Sequence, residues 1–411
     1  METAVRTTVD EVLGGVAEPS NLKSYDELSA IVKSIEPVLR ENAAEAEAKC
    51  DLPKAAVDAV RKAGLFKLWV PESLGGWEVD PVTSFRVFED ISAIDSASGW
   101  LISMSASISG LGLYLGDRAV EEMYQGGDNI FADAFSPQGQ SVPAAGGYKL
   151  TGRFPFASNC KHADWFMALG VVMAGDEPKT VDGMPMLKIY AFPMKEAQIV
   201  ENWDTLGMRG TGSHDVKATN LFVPEHRTAN MAPVTKAANK FWSSSFTNMT
   251  VWHIVAGVGM NSLGIARAAM EAFIDMAKAK TPAYQTATVN TQTLAHYRLG
   301  QAKAILGGAR AYMYETISRV WESAKAGNFI TMDQKADLQL AGTYAVRAAC
   351  DAIELLADSA GGNAIRQSER FNRHLRDLRT VTQHAYLSAD RYEDVGAIAL
   401  GQPPRWGFLH M

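Results

Sequence analysis

Cysteine is scarce in this chain: Cys50, Cys160 and Cys350 are the only three in 411 residues. They lie far apart and fit no metal-ligand spacing, so no metal site is expected, and reduced thiols in a cytoplasm are the simplest reading. A basic surplus is missing too. The net charge of -7 argues against a nucleic-acid binder. No unbroken apolar run of about 18 residues is visible, so no membrane span is expected. The opening METAVRTTVDEVLGG lacks the apolar core of a secretory signal. The P-loop, GxGxxG, HExxH and GxSxG signatures are all absent. Chemistry must therefore be read from how the chain is organised.

What is present is a composition of 47% hydrophobic and 21% charged residues, ordinary for a soluble globular protein with a sizeable core. The length suits two or three domains. The first part reads as helices. Ser24 and Glu27 make a capping box ahead of LSAIVKSIEPVL, PKAAVDAVRKAG runs from Pro53 to Gly64, and Asp80-Pro81 opens VTSFRVFEDISAID. SASGWLISMSASISGLGLYLG, Ser96 to Gly116, is nearly uncharged and rich in small residues, which predicts a buried helix. From about Ile130 to Arg227 the period changes to short β-rich runs separated by Gly, Pro and Asp, predicting an antiparallel sheet or small barrel. Beyond Ser243 three long, Ala-rich amphipathic stretches predict a four-helix bundle. The expected fold class is mostly α with a central β-domain, divided at 1–128, 129–235 and 236–411.

Three stretches carry a resemblance. They are GGYKLTGRFPFASNCKHADWFMAL (Gly146 to Leu169), WDTLGMRGTGSHDVKATNLFVPEHR (Trp203 to Arg227) and LADSAGGNAI (Leu356 to Ile365). In this order they resemble the acyl-CoA dehydrogenase family, over most of the chain from Ser24 to Leu400. The family's Arg-x-x-Phe-Gly grip on the flavin pyrophosphate has no counterpart in TPAYQTATVNTQTLAHYRLGQ. Where one group of dehydrogenases keeps a catalytic Glu, RDLRTVTQHAYLS holds His384 and no carboxylate between Asp377 and Asp390. FSPQG (Phe135 to Gly139), GRFPFASN and the spaced Asp377 and His384 instead resemble a sister branch, the two-component flavin-dependent monooxygenases. That branch includes oxygenase components acting on p-hydroxyphenylacetate, secosteroid phenols and dibenzothiophene.

The resemblance implies reduced FMN or FAD delivered by a separate reductase, O2 as co-substrate, and a flavin C4a-hydroperoxide that hydroxylates a small aromatic or heteroaromatic compound. It implies Ser158 beside flavin N5, with Phe156, Trp203, Phe135 and Ser136 around the ring. Phe156 is expected on a strand, on the same face as Ser158. Lys280 and Thr281 are candidates for a flavin phosphate. Gly361 and Gly362 would serve a neighbouring subunit's flavin within a homotetramer. His384, placed at the start of a helix, would be the base or proton donor, because histidine titrates near neutral pH. Trp100, Ser105 and Ser107 are expected to line the substrate pocket, although the histidine that several hydroxylases carry after the Gly-Trp pair is missing. His374, in a run of arginines, is expected to face solvent or a subunit contact. Two other activities remain open: an acyl-CoA dehydrogenase or oxidase with an unusual base, and an N-hydroxylase of an amine or amino sugar. Ordinary packing or capping would also account for Phe156, Trp203 and the Gly-Gly pair.

Overall fold

The computed structural model describes residues 23–181, 183–232 and 236–411, so the reading of the first fifteen residues lies outside the described residues. Helix α1 (Tyr25–Lys49) starts at the expected capping box: the Ser24 amide donates to Glu27 Oε2 at 2.7 Å, and the Ser24 hydroxyl accepts from the Glu27 amide. Helix α2 (Lys54–Lys62) follows Pro53. Helices α3 (Pro81–Ile94) and α4 (Ser96–Ser109) are capped by the side chains of Asp80 and Asp95, which accept from amides of their first turns. Every residue of α4 is buried, so its small side chains serve close packing on all sides. Helix α5 (Asp117–Tyr124) completes this layer.

The β-domain comprises β1 (Phe131–Ala144), β2 (Gly147–Phe154), β3 (Trp165–Ala174), the two-residue strands β4 (Glu177–Pro178), β5 (Thr180–Val181) and β6 (Met184–Pro185), then β7 (Leu187–Pro193), β8 (Gln198–Val200), β9 (Asp215–Pro224) and β10 (Thr228–Asn230). The main sheet runs β10-β7-β3-β1-β2-β9-β8, an open path rather than a closed barrel. It is also mixed, not wholly antiparallel as expected. β2 runs back to the start of β1, so β3 sets off from the same end on the other side of β1. The pair is therefore parallel, Phe131 opposite Trp165. The loop making this return holds Phe156 and Ser158. A separate apolar core with Leu150, Phe154, Phe166 and Val216 fills the domain.

The C-terminal part contains α6 (Ser244–Met249), α7 (His253–Ala279), α8 (Thr293–Lys325), α9 (Met332–Ala360), α10 (Arg370–Val381) and α11 (Arg391–Ala399). Among the described residues one stretch, Ser244–Ala279, is long and apolar enough by composition to cross a membrane. Its apolar window is wholly buried inside the protein, which makes it the central helix of the bundle. Glu89 of α3 joins the helical layers. It is 2% exposed, accepts from Arg310 Nε at 2.8 and 3.0 Å, and takes the Tyr314 hydroxyl at 2.7 Å. His374 overturns the solvent expectation: with Phe371, Leu378 and Val381 it forms the buried stripe of α10 at helical spacing. Burial pushes its pKa down to about 3.

Candidate active site

The loop after β2 departs from strand geometry immediately. Phe156 has φ 59°, in the left-handed region, so strand alternation does not set its direction and the expected shared face with Ser158 fails. Phe156 is 72% exposed. Its ring stands edge-on to Trp203, with centroids 6.1 Å apart at 85°. Ser158 turns inward instead. Its Oγ accepts from Trp100 Nε1 at 3.0 Å and lies 2.8 Å from Ser213 Oγ.

Trp203 is fixed from behind. Its amide and that of Asn202 both donate to His214 Nδ1, at 3.0 and 3.1 Å, and its indole N–H donates to the Met208 carbonyl at 3.1 Å. Burial lowers the pKa of His214, keeping the ring neutral and Nδ1 free to accept. The same loop is tied to α10 by Asp377. Its carboxylate accepts from the Met208 amide at 2.6 Å and from the Ser96 hydroxyl at 2.7 Å. The Asp377 that marks the sequence motif thus positions the loop.

His384 lies seven residues beyond Asp377, in the turn between α10 and α11 rather than at a helix start. Thr382 closes α10 and α11 begins only at Arg391. The His384 ring is 5.5 Å from Trp100 and 5.4 Å from Tyr386. Its Nδ1 faces the Tyr386 amide at 3.4 Å, and Nε2 has no partner among the described residues. Burial lowers its pKa to about 4, so the ring is neutral at pH 7, not poised near neutrality as expected. Ser158, Trp100, His384 and Tyr386 form one continuous wall between the β-domain and the bundle.

Other candidates fall elsewhere. Ser105 and Ser107 are each 1% exposed. Ser105 Oγ accepts from the Phe131 amide, and Ser107 packs beside Gly257 of α7, so neither opens to the cleft. Phe135 and Ser136 sit where β1 slips register between Ala134 and Gly139. Pro137 in that segment has no N–H for a ladder. Phe135 packs against the helical core and Ser136 is exposed. Lys280 and the Gly-Gly turn come together, since Lys280 Nζ donates to the Ala360 carbonyl at 2.6 Å and to Asn363 Oδ1 at 2.8 Å. Thr281 is exposed. This corner is remote from His384. Leu387, in the His384 turn, packs on Gly342 of α9, whereas Gly361 follows the far end of that helix, roughly 28 Å along its axis. A surface cleft of about 970 Å³ lies behind the Trp203 loop, bounded by Arg40, Glu47, Arg209 and Arg373; none of the wall residues Ser158, Trp100 and His384 lines it.

Comparison with known proteins decides the family. The acyl-CoA dehydrogenase N-terminal domain matches residues 27–124, and the acyl-CoA dehydrogenase C-terminal domain matches residues 256–389. The chain belongs to the acyl-CoA dehydrogenase superfamily. Within it, indole-3-acetate monooxygenase from Pseudomonas putida is 29% identical, across 87% of this chain and 90% of that protein. The oxygenase subunit of a flavin-dependent monooxygenase from Rhodococcus jostii (strain RHA1) is 24% identical, across 89% and 96%. The fold is shared with XiaF from Streptomyces sp., solved with FADH2 and glycerol: TM-score 0.85, 23% identity, 98% of this chain and 99% of that one. These relatives set the chain in the flavin-dependent monooxygenase branch of the superfamily.

The residues present fit a flavin. Phe156 and Trp203 offer an uncovered aromatic corner at the surface beside Ser158, suited to the face and edge of a flat ring. Ser158 stands beside it with its oxygen only partly used. Sequence reasoning identified Ser158, Trp100, Trp203 and His384, which the fold assembles from four segments. It set His214 aside as carrying no chemistry, and it missed Ser213, Thr211, Tyr386 and Asp133. Thr211, Ser213 and His214 lie inside the quoted Trp203 to Arg227 stretch, but their hydrogen bonds have no signature in sequence.

Proposed function

We propose that this protein is the oxygenase component of a two-component monooxygenase. It takes reduced FMN or FAD from a separate reductase and uses O2 to hydroxylate a small aromatic or heteroaromatic compound. The observation that carries this reading is the contact sequence from Ser158 through Trp100 to His384, 3.0 Å and then 5.5 Å, which links a ring-binding corner to a neutral imidazole.

Reduced flavin, when bound, supplies the activated oxygen atom. This chain's residues supply the rest. Phe156 and Trp203 hold the ring and keep water off it. Ser158 holds the proton at N5. Trp100 and Tyr386 give the substrate ring two aromatic walls, and His384, whose Nδ1 faces the Tyr386 amide, offers its Nε2–H as oxygen is transferred. Lys280 and the Gly361-Gly362 turn serve the flavin phosphate of a neighbouring subunit in a homotetramer, and the enzyme works in the cytoplasm.

The test mixes the protein, chemically reduced FMN or FAD and an aromatic substrate with ¹⁸O₂. Product carrying one ¹⁸O, formed without any reductase present, supports the reading. Tightly bound oxidised flavin that an acyl-CoA bleaches without O2 would return the protein to the dehydrogenases.

A further inference from the structure

Asp133 is the third residue of β1, on the face turned to the helices. Ala132 and Ala134 are buried in the β-domain core, whereas Phe131 belongs to the helical core and Phe135 packs against it. The two-residue period puts Asp133 on the side of the two phenylalanines. There it lies close to Tyr386, whose phenol is held protonated by burial first and by the Asp133 charge second. Tyr386 is the ring neighbour of His384, which is the ring neighbour of Trp100.

Asp133 is unusual among the deep carboxylates of this protein. Asp377 accepts from Met208 and Ser96, Glu89 from Arg310 and Tyr314, and Asp95 from Ser98. The Asp133 carboxylate makes no hydrogen bond or ion pair with any described residue. Its side chain is only partly open to the cleft, and burial pushes its pKa up to about 7. A part-exposed carboxylate beside aromatic side chains, with no donor from the protein, is left to be satisfied by water or by a ligand.

We propose that Asp133 is a specificity-determining residue of this site, whose carboxylate accepts a hydrogen bond from the ring N–H of a heteroaromatic substrate held between Tyr386, His384 and Trp100. The inference rests on the aromatic monooxygenase reading. The donor is assigned to a ring because three ring side chains, Tyr386, His384 and Trp100, follow one another along the same wall.

The test is anaerobic equilibrium binding of indole and 1-methylindole to the full-length protein carrying reduced FMN. The two probes differ only in the N–H. Wild type should favour indole by about 10- to 100-fold, the range for a hydrogen bond to a charged acceptor. Asp133→Ala should abolish that preference while binding 1-methylindole as before, and Asp133→Asn, with a neutral acceptor, should fall between. If Asp133→Ala does not fold, Asp133→Asn decides, and it must lower the preference several-fold. A preference unchanged in the variants, equal binding of both probes by wild type, or binding of neither overturns the assignment. Admitting O2 tests the underlying function separately: a preference that depends on Asp133, with no hydroxylated product, keeps Asp133 as the recognition group and removes the monooxygenase.

Discussion

Trp100 Nε1 donates to Ser158 Oγ at 3.0 Å, joining the sealed helix α4 to the loop after β2. That bond fixes more than a distance. Thr211 Oγ1 donates to the Met208 carbonyl at 2.8 Å, so its contact with Ser213 Oγ at 2.7 Å must use a Ser213 proton. Ser213 can then only accept from Ser158, at 2.8 Å. The Ser158 proton is committed, one lone pair is filled by Trp100, and one lone pair is left. Ser158 therefore presents an acceptor to the cleft, which suits the N–H at N5 of reduced flavin.

Removing that acceptor gives the first prediction. Ser158→Ala should fold normally and consume O2, but release a several-fold larger share of it as H2O2, the scale of one lost hydrogen bond of about 1 kcal/mol or more. Ser213→Ala should act in the same direction and more weakly, because Ser158 keeps its acceptor lone pair but loses its fixed orientation. Peroxide and product are counted together in one oxygen-electrode experiment. An unchanged ratio in Ser158→Ala would place Ser158 away from N5.

The second prediction concerns His384. Burial holds it near pKa 4, so it is neutral across pH 6–9. The single-turnover transfer step should show no His384 ionisation in that window, and an acid limb should appear only as pH falls towards 4. His384→Asn should slow transfer by about 10²- to 10⁴-fold, the usual worth of a positioned acid or base. Flavin binding should change little, since Ser158, Phe156 and Trp203 are intact. Normal transfer in the variant would leave His384 a packing residue between Trp100 and Tyr386.

Asp377 supplies the third, a stability prediction. Burial raises its pKa to about 6 despite the bonds from Met208 and Ser96. The folded value lies above the unfolded one, so the native state binds more protons between them and the stability contributed by this group falls as pH rises from about 4 to 6. The full effect is roughly 3 kcal/mol at 1.36 kcal/mol per unit. Asp377→Asn keeps an acceptor for Met208 and can donate to Ser96, so it lacks this slope. Urea melts should show the variant gaining on wild type between pH 4 and 7, then holding its lead. A constant difference across that range would contradict the raised pKa. Asp377→Ala, which orphans both donors, should be destabilised at every pH.

The fold was legible because its signals are local and repeated. Ser24 with Glu27, Asp80 with Pro81, and the uncharged run of α4 each declare a helix by chemistry inside one or two turns. The parallel pairing of β1 with β3 was not legible, since it depends on which side of β1 the return loop takes. Phe156 was misplaced because the period of two was carried past the last strand residue, Phe154, into a left-handed turn. Asp133 was passed over because a polar strand residue ordinarily faces water, although the period of two in FADAF sets it on one face with Phe131 and Phe135. His374 was misread for the converse reason: its arginine neighbours look like a solvated face, while its own spacing from Phe371 and Leu378 points inward.

The last prediction tests the remote corner at Lys280. Its ammonium gives two of its three N–H groups to Ala360 O and Asn363 Oδ1, and the third is left for an anion. A Cβ on Gly361 would come within 3.4 Å of that nitrogen, and Gly361 has φ 54°, so the turn and the cation are held as one unit. If this unit meets a flavin phosphate from a neighbouring subunit, Lys280→Met should weaken reduced-flavin binding by about 10-fold, one charge-assisted hydrogen bond, and should flatten its salt dependence. Asn363→Ala separates charge from shape: it loosens the turn but keeps the ammonium, so its flavin affinity should fall less. Anaerobic titration gives the affinities, and light scattering at the same concentration gives the assembly. Equal loss in both variants would reduce Lys280 to a staple of the turn. A fully active monomer would remove the neighbouring subunit altogether, because the corner lies at the far end of α9 from its own chain's Trp100 and His384.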